Sequence, residues 1–258
     1  MNVITATSDW YRSSVATSEG YAIGAGLIGC EYTDAYSLRL TRVAPGGHIP
    51  MRVGMCNQAL FVIDGEGTAS LDGKGHALCQ GAVIKIPRGV PHALRNTGVV
   101  PIELLVIHDP PLRNGAVTAG EEQGDKQLPG RGAEAQGANT PEVVSTGLIA
   151  WQPFEAASVQ GYELKPMILG AELTDAYSVD LMRVAPGGFS AAHTDQGRHA
   201  FAILEGQGCL TVDGQPLDFG QGDIVKVPQG SLHALHHRGT GPLEFLAIYD
   251  PPRRRSGN

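Results

Sequence analysis

Charge is scarce in this chain of 258 residues: Asp, Glu, Lys and Arg together supply only 17%. An average domain carries ~25%. The long solvated faces of a coiled coil or helical bundle need far more Glu, Lys and Leu and fewer helix breakers. Positive charge is scarcer still, with 19 basic against 26 acidic residues and a net charge of −7. Such a chain does not gather on phosphate backbones by charge alone, which argues against a nucleic-acid partner. The one basic cluster, Arg253-Arg254-Arg255, reads as a solvated chain end. No apolar run reaches the ~18 residues of a membrane-spanning helix, so no membrane partner is expected. Met1–Ala6 lacks a charged segment followed by an apolar core, so no secretory leader is expected. The four cysteines, Cys30, Cys56, Cys79 and Cys209, form no CxxC pair and predict reduced thiols in a cytoplasmic protein.

What the chain has instead is 35 glycines, 17 prolines and 42% hydrophobic residues. The apolar share is enough to bury a core, and the turn formers point to β-structure. The chain is also written twice. Thr33-Asp34-Ala35-Tyr36-Ser37 returns as Thr174-Asp175-Ala176-Tyr177-Ser178, and Arg42-Val43-Ala44-Pro45-Gly46-Gly47 as Arg183-Val184-Ala185-Pro186-Gly187-Gly188. Asp109-Pro110-Pro111 returns as Asp250-Pro251-Pro252, always 141 residues on. The spacing predicts two domains, 1–112 and 146–258, each of ordinary size. Between them 113–145 is rich in Gly, Ala, Glu and Gln and reads as a flexible linker. Short apolar runs stop at Asp64-Gly65, Asp72-Gly73, Glu205-Gly206 and Asp213-Gly214, with Asp-Gly the strongest short-range hairpin cue. Repeated strands and turns of this kind predict an all-β sandwich or barrel. Only Trp151–Val159 suggests a short helix.

One frame in each repeat is specific. In the second it runs Gly222, Pro228, Gly230, His233 and His237; in the first, Gly81, Pro87, Gly89, His92 and Asn96. This frame resembles the second signature motif of the cupin superfamily. The first signature motif has a His-x-His followed by Glu; here His193, Asp195 and His199 take those three positions, with Gly206 and Gly208 bracketing its closing glycine. The resemblance covers both repeats and implies a bicupin, two tandem jelly-roll barrels.

The residues support a site in the second repeat on their own terms. Residues two apart on a strand share a face, so His193 and Asp195 converge. His199 can begin the next strand and face them, and His233 arrives from a distant hairpin. Three imidazoles and a carboxylate suit a divalent transition metal, Fe(II), Mn(II), Ni(II) or Zn(II), and the resemblance to cupin dioxygenases implies Fe(II) first. Asp195 is either a ligand or a neighbouring base that leaves a three-His site. His237 shares the strand parity of His233 and is a candidate pocket or catalytic residue; His236, of opposite parity, is expected at the surface.

The first repeat has Arg52, Gly54 and Gln58 where the second has His193, Asp195 and His199. Only His92 remains, with His48 a candidate to join it. An arginine stays protonated and cannot ligate a cation, so no metal is expected there. That domain is either a structural mate or a pocket in which Arg52, Gln58 and His92 receive an anion. Between 48–64 and 189–205 only Ala59 and Ala200 agree, so the site segment has diverged while the frame persists. The expectation is a metal-dependent small-molecule enzyme at the C-terminal barrel. Because this His-rich set resembles the ligand sets of cupin dioxygenases, the resemblance implies first a dioxygenase acting on an organic acid or phenolic compound, with Arg198 or His237 orienting the substrate. The alternatives are a non-redox hydrolase, lyase or isomerase, with a layout similar to ureidoglycine aminohydrolases, or a binding cupin without turnover. Barrel packing makes a homodimer a candidate assembly.

Overall fold

The computed structural model describes residues 3–6, 15–112, 140–169 and 173–253. Most of the linker segment, 113–139, lies outside them, as do Arg254 and Arg255. The chain divides into two compact units, one of residues 13–148 and one of 1–12 with 149–258.

In the first unit two antiparallel sheets face each other. One has seven strands, ordered Glu142–Ser145, Ala82–Ile86, Asn57–Asp64, Ile102–Asp109, Ser37–Val43, Tyr21–Ile28 and Val15–Ala16. The other has four: His48–Val53, Pro91–Asn96, Gly67–Leu71 and Lys74–Leu78. Leu60, Val62, Ile84, Leu104 and Val106 from the first sheet pack against Ile49, Ala69, Leu71 and Leu94 from the second. The alternation of inward apolar residues along each strand is what closes this sandwich. The second unit repeats the plan. There a single strand, Ser178–His193, runs through both sheets, so hydrogen bonding joins ten strands. Leu210, Val212 and Leu235 pack against Phe201, Ile203, Val225, Val227 and Phe245.

The Asp-Gly signals divide into two kinds. Asp72-Gly73 and Asp213-Gly214 have both residues at positive φ and close two-residue hairpins, with Leu71 opposite Lys74 and Val212 opposite Gln215. Gly65 and Gly206 also have positive φ, but the strands flanking them lie in different positions of the barrel and do not pair. These turns carry the chain from one sheet to the other. No helix forms at Trp151–Val159: Gln152–Pro153 pairs with Val159–Ile168, and Pro153 cannot continue a helical ladder.

The unit boundaries differ from the repeat boundaries. Ile4–Ala6 pairs with Asp223–Val227 of the second repeat, placing Ile4 opposite Val225. Glu142–Ser145, which composition assigned to the linker, is a strand on Ala82–Ile86 of the first repeat, with Lys85 Nζ 3.1 Å from Glu142 Oε2. Each repeat thus receives an edge strand from outside its own bounds.

Candidate metal centre

His193 ends the long strand Ser178–His193, and His233 begins His233–His237 directly opposite it. Opposed residues on neighbouring strands point to one face, and the two rings lie 4.3 Å apart. His199 is second in Arg198–Glu205, its ring 5.6 Å from that of His233. Asp195 lies beyond the strand end, so strand parity does not aim it. The loop does: Gly230, in the Pro-x-Gly turn before His233, donates its N–H to the Asp195 carbonyl at 3.1 Å. The two signature segments are stitched together at the point where the side chains meet.

All three imidazoles present Nε2 to one oxygen. Asp195 Oδ2 is 3.3 Å from His193, 3.0 Å from His199 and 3.5 Å from His233. His193 Nδ1 lies 2.8 Å from the Ala191 carbonyl and His233 Nδ1 3.0 Å from that of Ser231. A carbonyl only accepts, so these Nδ1 atoms carry protons, and it is Nε2 of each ring that is turned toward Asp195 and could ligate a metal in the neutral tautomer. Burial pushes His233 below the usual imidazole range, which keeps it neutral. Asp195 is held below the usual carboxylate range, chiefly by the hydrogen bond from His199. The Nε2 atoms of His193 and His233 and the ionised Asp195 carboxylate thus converge as one donor set that a cation would complete. Backbone carbonyls orienting the far ring nitrogen are the usual support of metal-bound histidine. The donor atoms of His193, Asp195 and His233 lie within 4.8 Å of one another, and the mixed set fits a divalent transition metal.

The cluster lies on the wall of a cavity of about 480 Å³. Phe154, Val159, Tyr162, Met182, Phe201, Leu235, Phe245 and Tyr249 make its sides, and Arg198 and Arg253 its polar rim. Tyr249 meets the His199 ring edge-on at 4.9 Å, and burial pushes its hydroxyl well above the usual range. Arg198, expected to orient substrate, lines the cavity with Nη1 3.2 Å from Asp250 Oδ2.

His237 does not belong here. Its Nδ1 donates to the Ala185 carbonyl at 2.9 Å, and it is absent from the cavity lining. Four residues along a twisted strand carry it to the other end of the barrel. Asn96, its counterpart, does similar work, donating to the carbonyls of Val43 and Val100. His236 is exposed and stacks on Phe189. Arg253 reverses its expectation. It is no solvated end: Nη2 is 2.8 Å from Asp180 Oδ2, and the side chain lines the cavity. The repeats carry one signal of this role: Arg253 corresponds to Leu112 and Asp180 to Arg39, so the pair is peculiar to the second copy.

In the first repeat the matching imidazole is taken. His92 Nδ1 lies 2.9 Å from the Val90 carbonyl, and its Nε2 accepts from Arg52 Nε at 3.2 Å. The guanidinium lies where the second repeat presents lone pairs to a cation. His48 is exposed opposite Arg95 and does not join this group. Gln58 is 2% exposed, and its Oε1 has no hydrogen-bond partner. Burial, with Arg52 adding to it, lowers the His92 pKa to about 4. The unfolded chain therefore binds a proton near pH 6.5 that the folded chain refuses. Stability is full above pH 6.5 and falls as the pH drops toward 4, by about 3 kcal/mol from this residue. Urea unfolding of His92→Gln should show a flatter pH dependence between 6.5 and 4; an unchanged slope would exclude His92 as its source.

The comparisons agree with this architecture. The Cupin domain family model matches residues 39–108 and again 180–249. A gentisate 1,2-dioxygenase of a Ralstonia species is 30% identical over 78 residues, 30% of this chain and 22% of that protein. An uncharacterized protein of Methanocaldococcus jannaschii is 33% identical over 52 residues, 20% of this chain and 42% of that protein. The chain thus spans less than half the length of these curated relatives. Among solved structures, a putative glyoxylate-induced protein from Pseudomonas aeruginosa superposes with a TM-score of 0.72 at 17% identity, covering 95% of this chain and 87% of that one. A variant of Bacillus subtilis oxalate decarboxylase superposes with a TM-score of 0.69 at 16% identity, covering 98% and 78%. At such identity these structures speak for the fold. With both repeats matched and the barrels in tandem, the chain belongs to the cupin family as a bicupin.

Proposed function

We propose that the second barrel is the active site of a metal-dependent enzyme, and that its reaction is the dioxygenation of a small organic acid or phenolic compound. The observation that carries this reading is the convergence of three Nε2 atoms on Asp195 Oδ2 at the wall of an apolar cavity. A bound transition metal would supply Lewis acidity toward substrate oxygens and, if redox-active, electrons for dioxygen. His193, His199 and His233 would hold it, with the His193 and His233 rings already oriented by backbone carbonyls. Asp195 stays ionised and can complete the set or accept a proton from a substrate hydroxyl. The cavity's volume suits a ligand of modest size, and its aromatic walls offer that ligand an apolar face. The partial likeness to a gentisate 1,2-dioxygenase supports the choice of reaction.

A second reading, a non-redox lyase, hydrolase or isomerase, is favoured by Asp195 itself. A carboxylate in direct reach of the cluster is a ready proton carrier for carbonyl chemistry. Oxygen-electrode assays of Fe(II)-loaded protein with catechols, diketones and hydroxy acids separate the two. Oxygen uptake matched to substrate loss is the expected result; turnover without uptake would replace the first reading by the second. Failure to retain Fe(II), Mn(II) or Zn(II) after purification without chelators would overturn both.

A further inference from the structure

We propose that Arg253 is the specificity-determining residue of this cavity: it receives a carboxylate of the substrate while another substrate oxygen reaches the histidine cluster. The proposal rests on the reading of the second barrel as a metal-dependent active site.

The geometry of Arg253 is built rather than incidental. Nη2 is 2.8 Å from Asp180 Oδ2, a carboxylate only 3% exposed. Cζ lies 5.0 Å from the Phe154 ring centroid and 5.5 Å from that of Tyr249. An ion pair and two aromatic rings thus hold the guanidinium in one orientation. A guanidinium offers five donors in a planar fork that matches a carboxylate; Asp180 engages it at Nη2, and the side chain keeps 23% of its surface exposed where it lines the cavity. Tyr249 lies 5.5 Å from Arg253 Cζ and also meets His199 edge-on at 4.9 Å. One aromatic ring therefore separates Arg253 from the candidate ligands. An apolar body carrying an anion at one end and an oxygen donor at the other spans the two.

The duplication shows that Arg253 is not needed to fasten the chain end. Its backbone N–H donates to Ser178 Oγ at 2.9 Å, and in the first repeat Leu112 makes the same bond to Ser37 Oγ at 3.1 Å. The anchor forms equally with leucine. The repeat that has the donor cluster has Arg253 with Asp180; the repeat that lost it has Leu112 with Arg39. The ion pair travels with the site, not with the fold.

The test uses the full chain loaded with Zn(II), which binds without oxidation chemistry. Salicylate and its neutral isostere salicylamide are titrated by calorimetry. Wild type should prefer the acid by about tenfold or more, as expected for a charge-assisted contact. Arg253→Met should erase that preference while zinc content, measured by mass spectrometry, stays unchanged. Because Arg253→Met leaves Asp180 buried without its partner, the pair Arg253→Met with Asp180→Asn is made as well. It should recover thermal stability yet still lack the preference. If the acid is preferred equally without Arg253, the carboxylate lies elsewhere and the proposal falls while the metal reading stands. Wild type that binds the two probes equally, or neither, overturns the proposal too. Wild type that takes up no zinc overturns the metal reading and this proposal with it.

Discussion

Replacing His233 by alanine is expected to empty the second barrel of metal, lowering affinity by on the order of 100-fold or more. Altering an outer partner of a metal-bound histidine costs ~10–100-fold, and His233 is itself a donor. It is 5% exposed, lies opposite His193 and has its Nδ1 engaged by the Ser231 carbonyl. The matched control is His92→Ala, which should leave metal content unchanged, because His92 Nε2 is engaged by Arg52. Metal analysis of both variants after identical purification reads the contrast directly. A metal lost with His92 instead would move the site to the first repeat. Thermal unfolding run in parallel separates loss of a donor from loss of the fold.

The second large effect is on stability. Gly206→Ala should destabilise the second unit by about 3 kcal/mol, whereas Gly214→Ala should cost about 1 kcal/mol. Both glycines have positive φ, 84° and 81°. They differ in what surrounds them. A Cβ on Gly206 would lie 2.5 Å from the Pro242 carbonyl oxygen and 3.0 Å from Leu243 Cα, whereas nothing lies within 4 Å of one on Gly214. Backbone atoms of a paired strand cannot step aside as a flexible side chain can. Urea unfolding followed by tryptophan fluorescence reads the difference, since Trp151 belongs to this unit. Equal costs at the two positions would mean that the Gly206 crossover yields freely.

The β-architecture and the duplication were legible because each rests on local chemistry: turn residues, short apolar runs and a constant 141-residue offset. Four candidate ligands were legible for a related reason. His193, His199 and His233 lie at strand ends, where parity and register aim them. Asp195 converged as expected, but through the hydrogen bond from Gly230, a contact that parity does not encode. His237 was misjudged because parity sets only the face of a strand and is silent about distance along it. Arg253 was misjudged because its partner, Asp180, is 73 residues away in sequence and reveals itself only through packing. The helix suggested at Trp151–Val159 failed against strand pairing, a tertiary effect that outweighs weak local preference.

The strands added from outside each repeat bear on how the protein can be divided. A fragment cut at the repeat boundaries would lose Ile4–Ala6 from the edge of Asp223–Val227, or Glu142–Ser145 from the edge of Ala82–Ile86. An uncovered edge offers its amides and carbonyls to any passing strand. Isolated halves would then be prone to self-association, whereas co-expressed halves cut within 113–139 could each capture the other's terminal strand. The protein is inherited as two copies of one domain, yet each copy completes its sheet edge with a strand from outside itself.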